Sequence, residues 1–143
     1  MQRLGDVFEK ALRAWRTKAK NYTVGVIKER WLVGPRPQRL GVMTGNLRSG
    51  VHGEVHPNGF TVGTNVKYGL YWEKGFMRSA GRVSGGSAHR ALYRNAAVGR
   101  WQPPRKWLEP GVKEALPEII RKCEHELKME FDRVAKQSLT INL

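Results

Sequence analysis

The chain has 143 residues, which is the length of one ordinary domain and enough to bury a core. Lysine and arginine number 26 against 12 acidic residues, and the formal net charge of +14 favours a polyanionic neighbour, nucleic acid before an anionic membrane. A basic surface that serves only solubility is the plainer alternative. No apolar run is long enough to span a bilayer, and the single cysteine, Cys123, excludes a disulfide within the chain and fits a reducing compartment.

The first predicted element is a long amphipathic helix over residues 3–30, which fills most of the N-terminal segment 1–33. Its apolar residues recur at spacings of three, four or seven, as expected for one buried helix face. They are Leu4, Val7, Phe8, Ala11, Trp15, Tyr22 and Val26. The β-branched residues between Thr23 and Val26 favour a kink or an early end, and Gly34-Pro35-Arg36-Pro37 is expected to stop the helix.

A β-hairpin is predicted next, in the segment 44–75. Apolar residues alternate on both sides of the turn signal Pro57-Asn58-Gly59, which predicts antiparallel strands over about 50–56 and 60–66. Thr44 is a suitable N-cap for a short helical turn just before the first strand.

Aromatic residues crowd the end of the same segment, in the stretch TVGTNVKYGLYWEKG. Tyr68, Tyr71 and Trp72 fall at i, i+3 and i+4, so one helical turn would place them on one face, and Gly75 is a natural C-cap. Leu70 or Tyr71 is expected to fill the core under the hairpin. The stretch as a whole is interpreted as a strand and turn that complete the sheet and present an edge to the next subunit.

A long basic segment follows over residues 76–106. Glycine and serine are frequent in it, no periodicity holds, and it contains no acidic residue, so it predicts a long basic loop. Its seven cations supply half of the net charge: Arg78, Arg82, Arg90, Arg94, Arg100, Arg105 and Lys106.

The last predicted element is an amphipathic helix over residues 110–137. Its apolar stripe consists of Val112, Leu116, Ile119, Ile120, Cys123, Leu127, Phe131 and Val134. Pro117 predicts either a late start or a bent first turn. The tail 138–143 is expected either to add a strand to a neighbour or to fray. Together these elements predict a single α+β domain over 1–143, with a small antiparallel sheet packed by two long helices.

Three short motifs occur in a recognisable order along the chain. TGNLRSGV precedes the hairpin, VGTNVKYGLYWEKG follows its turn, and PPRKWLEPG leads into the last helix. In this order they resemble the tail-component, or neck, family of long-tailed bacteriophages. The matching residues are Thr44, Gly45, Leu47, Arg48 and Ser49, then Val62, Gly63, Thr64, Tyr68, Tyr71, Glu73 and Gly75, and then Pro104, Arg105, Trp107, Leu108 and Pro110. The segment between Gly75 and Pro103 departs from the family, in which it is often shorter and variable.

The resemblance implies a structural virion protein without a catalytic centre. Such proteins form homo-oligomeric rings at the head–tail junction. They join head connector or adaptor proteins to tail terminator or tube proteins, and they surround the channel through which double-stranded DNA passes. We therefore expect a neck or tail-completion subunit of the virion, assembled in the bacterial host cytoplasm, with no membrane partner. A neck position and a tail-terminator position fit the sequence equally well.

Few side chains are placed to support catalysis or to bind a metal. His52 and His56 are four residues apart on one strand, but Glu54 between them is expected to face the other way, which favours solvent exposure over a metal site. His125 fits a solvated position, and Cys123 fits a buried core thiol. We expect no enzyme activity, no metal and no cofactor.

Two groups of residues are candidates for a role in the ring. Arginines on a glycine-rich segment suit phosphate contacts without sequence preference, so part of 76–102 is expected to face the DNA channel, with contact to an adjacent ring component as the alternative. These channel candidates are Arg78, Arg82, Arg90, Arg94 and Arg100. Aromatic and arginine residues are typical of subunit interfaces. The interface candidates are Arg48, Tyr68, Tyr71, Trp72, Glu73, Trp101, Arg105 and Trp107. Glu73 is expected to pair with Arg48 or Arg105, within or between chains.

A basic nucleic-acid-binding accessory protein is the alternative function, and the net charge of +14 is its main support. Such a binder would hold oligonucleotides as a monomer with a steep salt dependence. A neck protein would bind them weakly until it is assembled.

Overall fold

The computed structural model describes residues 3–33, 45–77 and 101–141. The elements in chain order are α1 (Leu4–Val26), a π-helical turn (Ile27–Trp31), α2 (Gly45–Gly50), β1 (Val51–His56), β2 (Gly59–Thr64), α3 (Lys67–Lys74), β3 (Phe76–Met77), β4 (Trp101–Gln102) and α4 (Leu108–Ile141). Long helices at both ends and a small antiparallel hairpin between them confirm the predicted α+β fold. The predicted helix stop at 34–37 and the cap at Thr44 fall outside these ranges.

The N-terminal helix α1 forms where the 3.6-residue spacing predicts it. Ala11 and Ala19 are fully buried on one of its faces. The interruption expected from the β-branched run also occurs, since regular α-helix ends at Val26 and the π turn carries the chain on to Trp31. The buried hydroxyl of Thr23 donates a hydrogen bond to the Ala19 carbonyl, 2.8 Å away, so the polar group is satisfied inside the helix.

The strands β1 and β2 form an antiparallel hairpin that packs across α1. Pro57 and Asn58 are the two turn residues, and both strands lie within two residues of their predicted bounds. The Phe60 ring meets Trp15 of α1 edge to face, with 6.5 Å between the ring centroids. The stretch TVGTNVKYGLYWEKG begins in β2, so its first four residues complete the hairpin sheet as predicted. Its aromatic residues form α3, where a helical turn was predicted, and β3 pairs with β4 in a separate ribbon.

The C-terminal helix α4 lies antiparallel to α1. Lys18 within α1 reaches Glu126, whereas Arg30 just beyond α1 reaches Glu114, 2.6 Å away. The start of α4 also lies close to the π turn, where Gly111 leaves room for Ile27. A Cβ atom on Gly111 of α4 would lie only 2.6 Å from the Ile27 side chain.

The bounds of α4 differ from the prediction at both ends. The helix begins at Leu108, so Pro117 lies inside it and the late start does not occur. It continues through Ile141, so residues 138–141 are helical instead of forming a strand. The continuous helix has 34 residues and a length of about 50 Å at 1.5 Å per residue.

The core lies where the π turn, α2, β1, α3 and the start of α4 meet. Its buried members are Ile27, Leu32, Leu47, Val51, Tyr68, Trp72 and Trp107. The closest approach is at Gly69 of α3, where an added methyl group would lie 2.5 Å from Leu47 and 3.2 Å from Trp107. Because both neighbours are buried, only a residue without a side chain lets α3 come this close.

Gly69→Ala is expected to lower the free energy of unfolding by about 1–3 kcal/mol, because the methyl group overpacks this part of the core. Gly25→Ala is the matched control, since Gly25 is also helical but has open space around it. There alanine should raise the free energy of unfolding by about 0.5–1 kcal/mol. Urea denaturation measures both values, and effects of the same sign would contradict the packing argument.

Candidate assembly site around Glu73

Glu73, at the end of α3, holds the start of α4. Its carboxylate accepts hydrogen bonds from the backbone N–H groups of Trp107 (2.7 Å), Leu108 (3.0 Å) and Glu109 (2.9 Å). The first N–H groups of a helix have no partner inside it, and the helix dipole favours a negative charge at that end. Glu73 therefore caps a helix whose first residues lie 34 or more positions further along the chain.

This cap takes the place of the ion pair that was expected between Glu73 and Arg48 or Arg105. Arg48 is exposed on α2, and the Arg105 guanidinium lies over the Trp72 ring, 5.4 Å from the ring centroid. The sequence did not reveal the cap because capping signals are recognised within a few residues of a helix start. Here the capping carboxylate comes from a different element.

The three sequence motifs meet around the Glu73 cap. Trp107 from the third motif is fully buried, and its indole N–H donates a hydrogen bond to the Gly69 carbonyl of the second motif, 2.9 Å away. Leu47 from the first motif packs against the same glycine. These residues of the three motifs therefore position α2, α3 and α4 against one another.

Three of the interface candidates belong to this junction and not to the surface. Tyr68, Trp72 and Trp107 keep only 9%, 7% and 0% of their accessible area. Side chains buried so deeply within one chain leave little surface for a neighbour, so we correct their expected interface role to a role in the core. The Trp72 ring also packs edge to face on Phe76, with 5.0 Å between centroids.

The other two aromatic candidates lie on an exposed apolar surface that we call the ribbon patch. It consists of Leu70, Tyr71, Met77 and Trp101, which are 44%, 49%, 60% and 55% exposed. Met77 pairs with Trp101 across the β3–β4 ribbon, and the Tyr71 ring lies 6.3 Å from that of Phe76. The expectation that Leu70 or Tyr71 fills the core is therefore wrong, because both lie on this surface.

Gly75 connects α3 to the ribbon patch. It ends α3 as predicted and has a positive φ of 80°, which residues with a side chain rarely adopt. The Trp101 ring lies directly over it, and a Cβ atom there would also lie 2.9 Å from the Gln102 carbonyl oxygen. A glycine at this position thus allows the chain to turn sharply under the exposed tryptophan.

The channel candidates fall outside the described residues, as does most of the basic segment. They are Arg78, Arg82, Arg90, Arg94 and Arg100. The residues on either side of 78–100, Met77 and Trp101, pair with each other in the ribbon. The segment that carries these arginines therefore leaves and rejoins the described fold beside the ribbon patch.

The hairpin histidines take part in local hydrogen bonds. A ring nitrogen of His52 lies 3.0 Å from the Gly50 carbonyl, and one of His56 lies 3.0 Å from the Thr61 hydroxyl. Alternate residues of a strand share a face, so Glu54 lies on the same face as both histidines, and its expected opposite orientation is wrong. Within the three described ranges, no group of three or more His, Cys, Asp and Glu side chains is arranged to hold a metal ion.

Comparison of the chain with models of protein families, with curated proteins and with solved structures finds no match in any of the three. In the part of the chain that the structure describes, none of the helices is long and apolar enough to cross a membrane. The geometry around Glu73 and the exposed surfaces beside it are therefore the basis for assigning a function.

Glu73→Gln is expected to lower the free energy of unfolding by about 1–2 kcal/mol, because the amide removes the negative charge and one of the two capping oxygens. Glu124→Gln is the matched control, since Glu124 is exposed on α4, the capped helix, but lies outside the cap. It should change the free energy by less than about 0.5 kcal/mol. Urea denaturation provides the comparison, and equally small losses in the two variants would disprove the capping role.

Proposed function

We propose that this chain is an architectural subunit that assembles with copies of itself into a ring. The observation that carries the proposal is the ribbon patch, in which four large apolar side chains of α3 and the ribbon stay 44–60% exposed on a chain with its own buried core. Isolated exposed apolar residues are ordinary, but several large ones on neighbouring elements mark a site of protein interaction.

A closed ring of identical subunits needs two different surfaces on each subunit, because each copy binds one neighbour on either side. Helix α4 offers the second surface. Leu116, Ile120 and Phe131 are each about half exposed and fall on one side of the helix, and we call them the α4 stripe. Phe131 lies about 35 Å along the helix axis from Leu108, which Glu73 caps, so the far end of the α4 stripe is well separated from the ribbon patch.

The particular assembly that we propose is the neck of a long-tailed bacteriophage, the ring that joins the head connector to the tail. The resemblance of the three motifs supports this proposal. The motif residues that meet around Glu73 pack α2, α3 and α4 together. This structural role agrees with a ring subunit that has no catalytic centre. The partners would be head connector or adaptor proteins and tail terminator or tube proteins of the virion, and a tail-terminator position fits equally well.

The distribution of charge also suits a protein that is located next to DNA. Seven of the twelve acidic residues lie on α4: Glu109, Glu114, Glu118, Glu124, Glu126, Glu130 and Asp132. Six cations accompany them on that helix, so the net positive charge of the chain lies outside α4. In the proposed ring, α4 would face protein neighbours and the basic remainder would supply the surface toward DNA.

Tyr71→Ser disrupts the ribbon patch and Ile120→Ser disrupts the α4 stripe, so each variant changes one of the two surfaces that are proposed to meet between subunits. Each variant is expected to weaken self-association of the purified chain by about tenfold, since exposed aromatic and large aliphatic anchors commonly contribute 1–2 kcal/mol at an interface. Sedimentation velocity over a concentration series measures the change. Leu4→Ser, an exposed apolar position on α1 outside both surfaces, is the control and should associate normally.

A mixture of the two variants tests whether the contact is head to tail. Tyr71→Ser keeps the α4 stripe and Ile120→Ser keeps the ribbon patch, so the mixture should form heterodimers that cannot grow. If the ribbon patch instead bound another ribbon patch, Ile120→Ser alone would associate like the wild type. Unchanged association of both variants, or a wild-type chain that stays monomeric at every concentration, would refute the ring surfaces.

A nucleic-acid-binding accessory protein is the second candidate function, and the seven cations of residues 76–106 favour it. A glutamine variant at four of the channel candidates tests both functions. The variant replaces Arg78, Arg82, Arg90 and Arg94, and its charge-matched control replaces Arg3, Lys10, Arg13 and Lys128. If the four arginines contact phosphates, the slope of log binding constant against log salt for duplex DNA should fall by up to about four, and by less in the control.

Whether the salt slope falls in the monomer or only in the assembled ring distinguishes the two functions. A neck subunit should show the change in slope only after assembly, whereas an accessory protein should show it as a monomer. A slope unchanged in both states would exclude these arginines from DNA contact.

A further inference from the structure

A groove beside the start of α4 has the lining of a binding site. It lies between the π turn, the extended residues 103–107 and the first two turns of α4, and its volume is about 460 Å³. Its apolar walls are Trp31, Pro104 and Pro110, and its cations are Arg105, Lys106 and Lys113. None of these residues belongs to the ribbon patch or to the α4 stripe, so the groove is independent of the proposed ring surfaces.

One carboxylate already lies in the groove. Glu109 accepts hydrogen bonds from Lys106 and from Lys113, the latter at 2.7 Å. These two ammonium groups lower the pKa of the Glu109 carboxyl to about 2, so it is ionised at any neutral pH. Among the described residues that line the groove, three cations against one carboxylate leave an excess of positive charge, and each ammonium group has further donors for a second acceptor.

Arg105 adds a further donor group. Its guanidinium lies over the Trp72 ring, 5.4 Å from the ring centroid, and its backbone N–H donates a hydrogen bond to the Trp72 carbonyl, 2.7 Å away. Among the residues that the structure describes, no acceptor bonds to the guanidinium N–H groups. A guanidinium presents its N–H groups in one plane, which matches the two oxygens of a carboxylate.

We infer that this groove binds an acidic segment of a partner polypeptide. A carboxylate side chain would lie among the three cations, and an adjacent apolar side chain would pack on Trp31 and the two prolines. The volume admits a few side chains but not a nucleic-acid duplex. Single-stranded nucleic acid is held by successive aromatic rings on which bases stack, and among the described residues Trp31 alone is an aromatic that lines this groove.

The probe for this site is a fluorescent peptide of alternating glutamate and phenylalanine residues. The same peptide with glutamine in place of glutamate and a labelled oligothymidylate are measured beside it by fluorescence anisotropy. We expect saturable binding of the acidic peptide and a large loss of affinity for its glutamine form, because the cations of the groove would then have no charged partner.

The Glu109→Gln variant distinguishes binding in the groove from attraction to the general positive charge of the chain. It releases Lys106 and Lys113, so binding of the acidic peptide should tighten about twofold to fivefold. Glu118→Gln is the matched control, because Glu118 pairs with Arg121 and Lys122 outside the groove. A gain in affinity cannot result from misfolding.

Lys113→Gln is the converse test, since it removes one cation of the groove whose side chain is largely exposed. It should weaken binding by a similar factor, whereas Lys128→Gln elsewhere on α4 should change affinity less.

Three results would overturn the inference. If Glu109→Gln and Glu118→Gln change affinity equally, only the net charge of the protein matters. If oligothymidylate displaces the peptide and shows the same response to Glu109→Gln, the groove is a nucleic-acid site. If the acidic peptide does not bind, no such site exists.

Discussion

The hydrogen bonds from the first N–H groups of α4 to the Glu73 carboxylate are the contact on which the rest of the arrangement depends. Helix α4 has 34 residues and extends far beyond the core that holds its beginning. Its direction is set in its first turn, where Glu73 binds the backbone and Trp107 is bonded to Gly69, and again along α1, where the Trp15 indole donates a hydrogen bond to the Ile119 carbonyl, 2.7 Å away.

This geometry bears directly on the proposed ring. Closure of a ring requires a fixed angle between the two surfaces that each subunit presents. The ribbon patch is built on α3 and the strands that follow it, and the α4 stripe is built on α4. Glu73 is the one acidic residue of α3 and the cap of α4, so the contact that joins the two elements helps to set the angle between the two surfaces.

The parts of the fold that follow a local period could be predicted from the sequence. The two long helices and the hairpin were predicted because their apolar residues repeat every 3.6 or 2 positions over many residues. The burial of individual aromatics could not be predicted this way. Tyr68, Tyr71 and Trp72 share one face of a short helix by spacing, yet Tyr71 stays exposed because α3 meets the core only along the line of the other two. The Glu73 cap depends on tertiary structure and leaves no local pattern.

The carboxylates of Glu73 and Glu109 both lie at the start of α4, and they bind different partners. Glu73 is bonded to backbone N–H groups, whereas Glu109 is bonded to the lysine side chains of the groove. An acidic partner that enters the groove would compete with Glu109 for those lysines. It would not compete with Glu73, because the backbone N–H groups at the helix start are already occupied. The arrangement therefore lets a partner bind at the end of α4 while the contact that orients the helix stays intact.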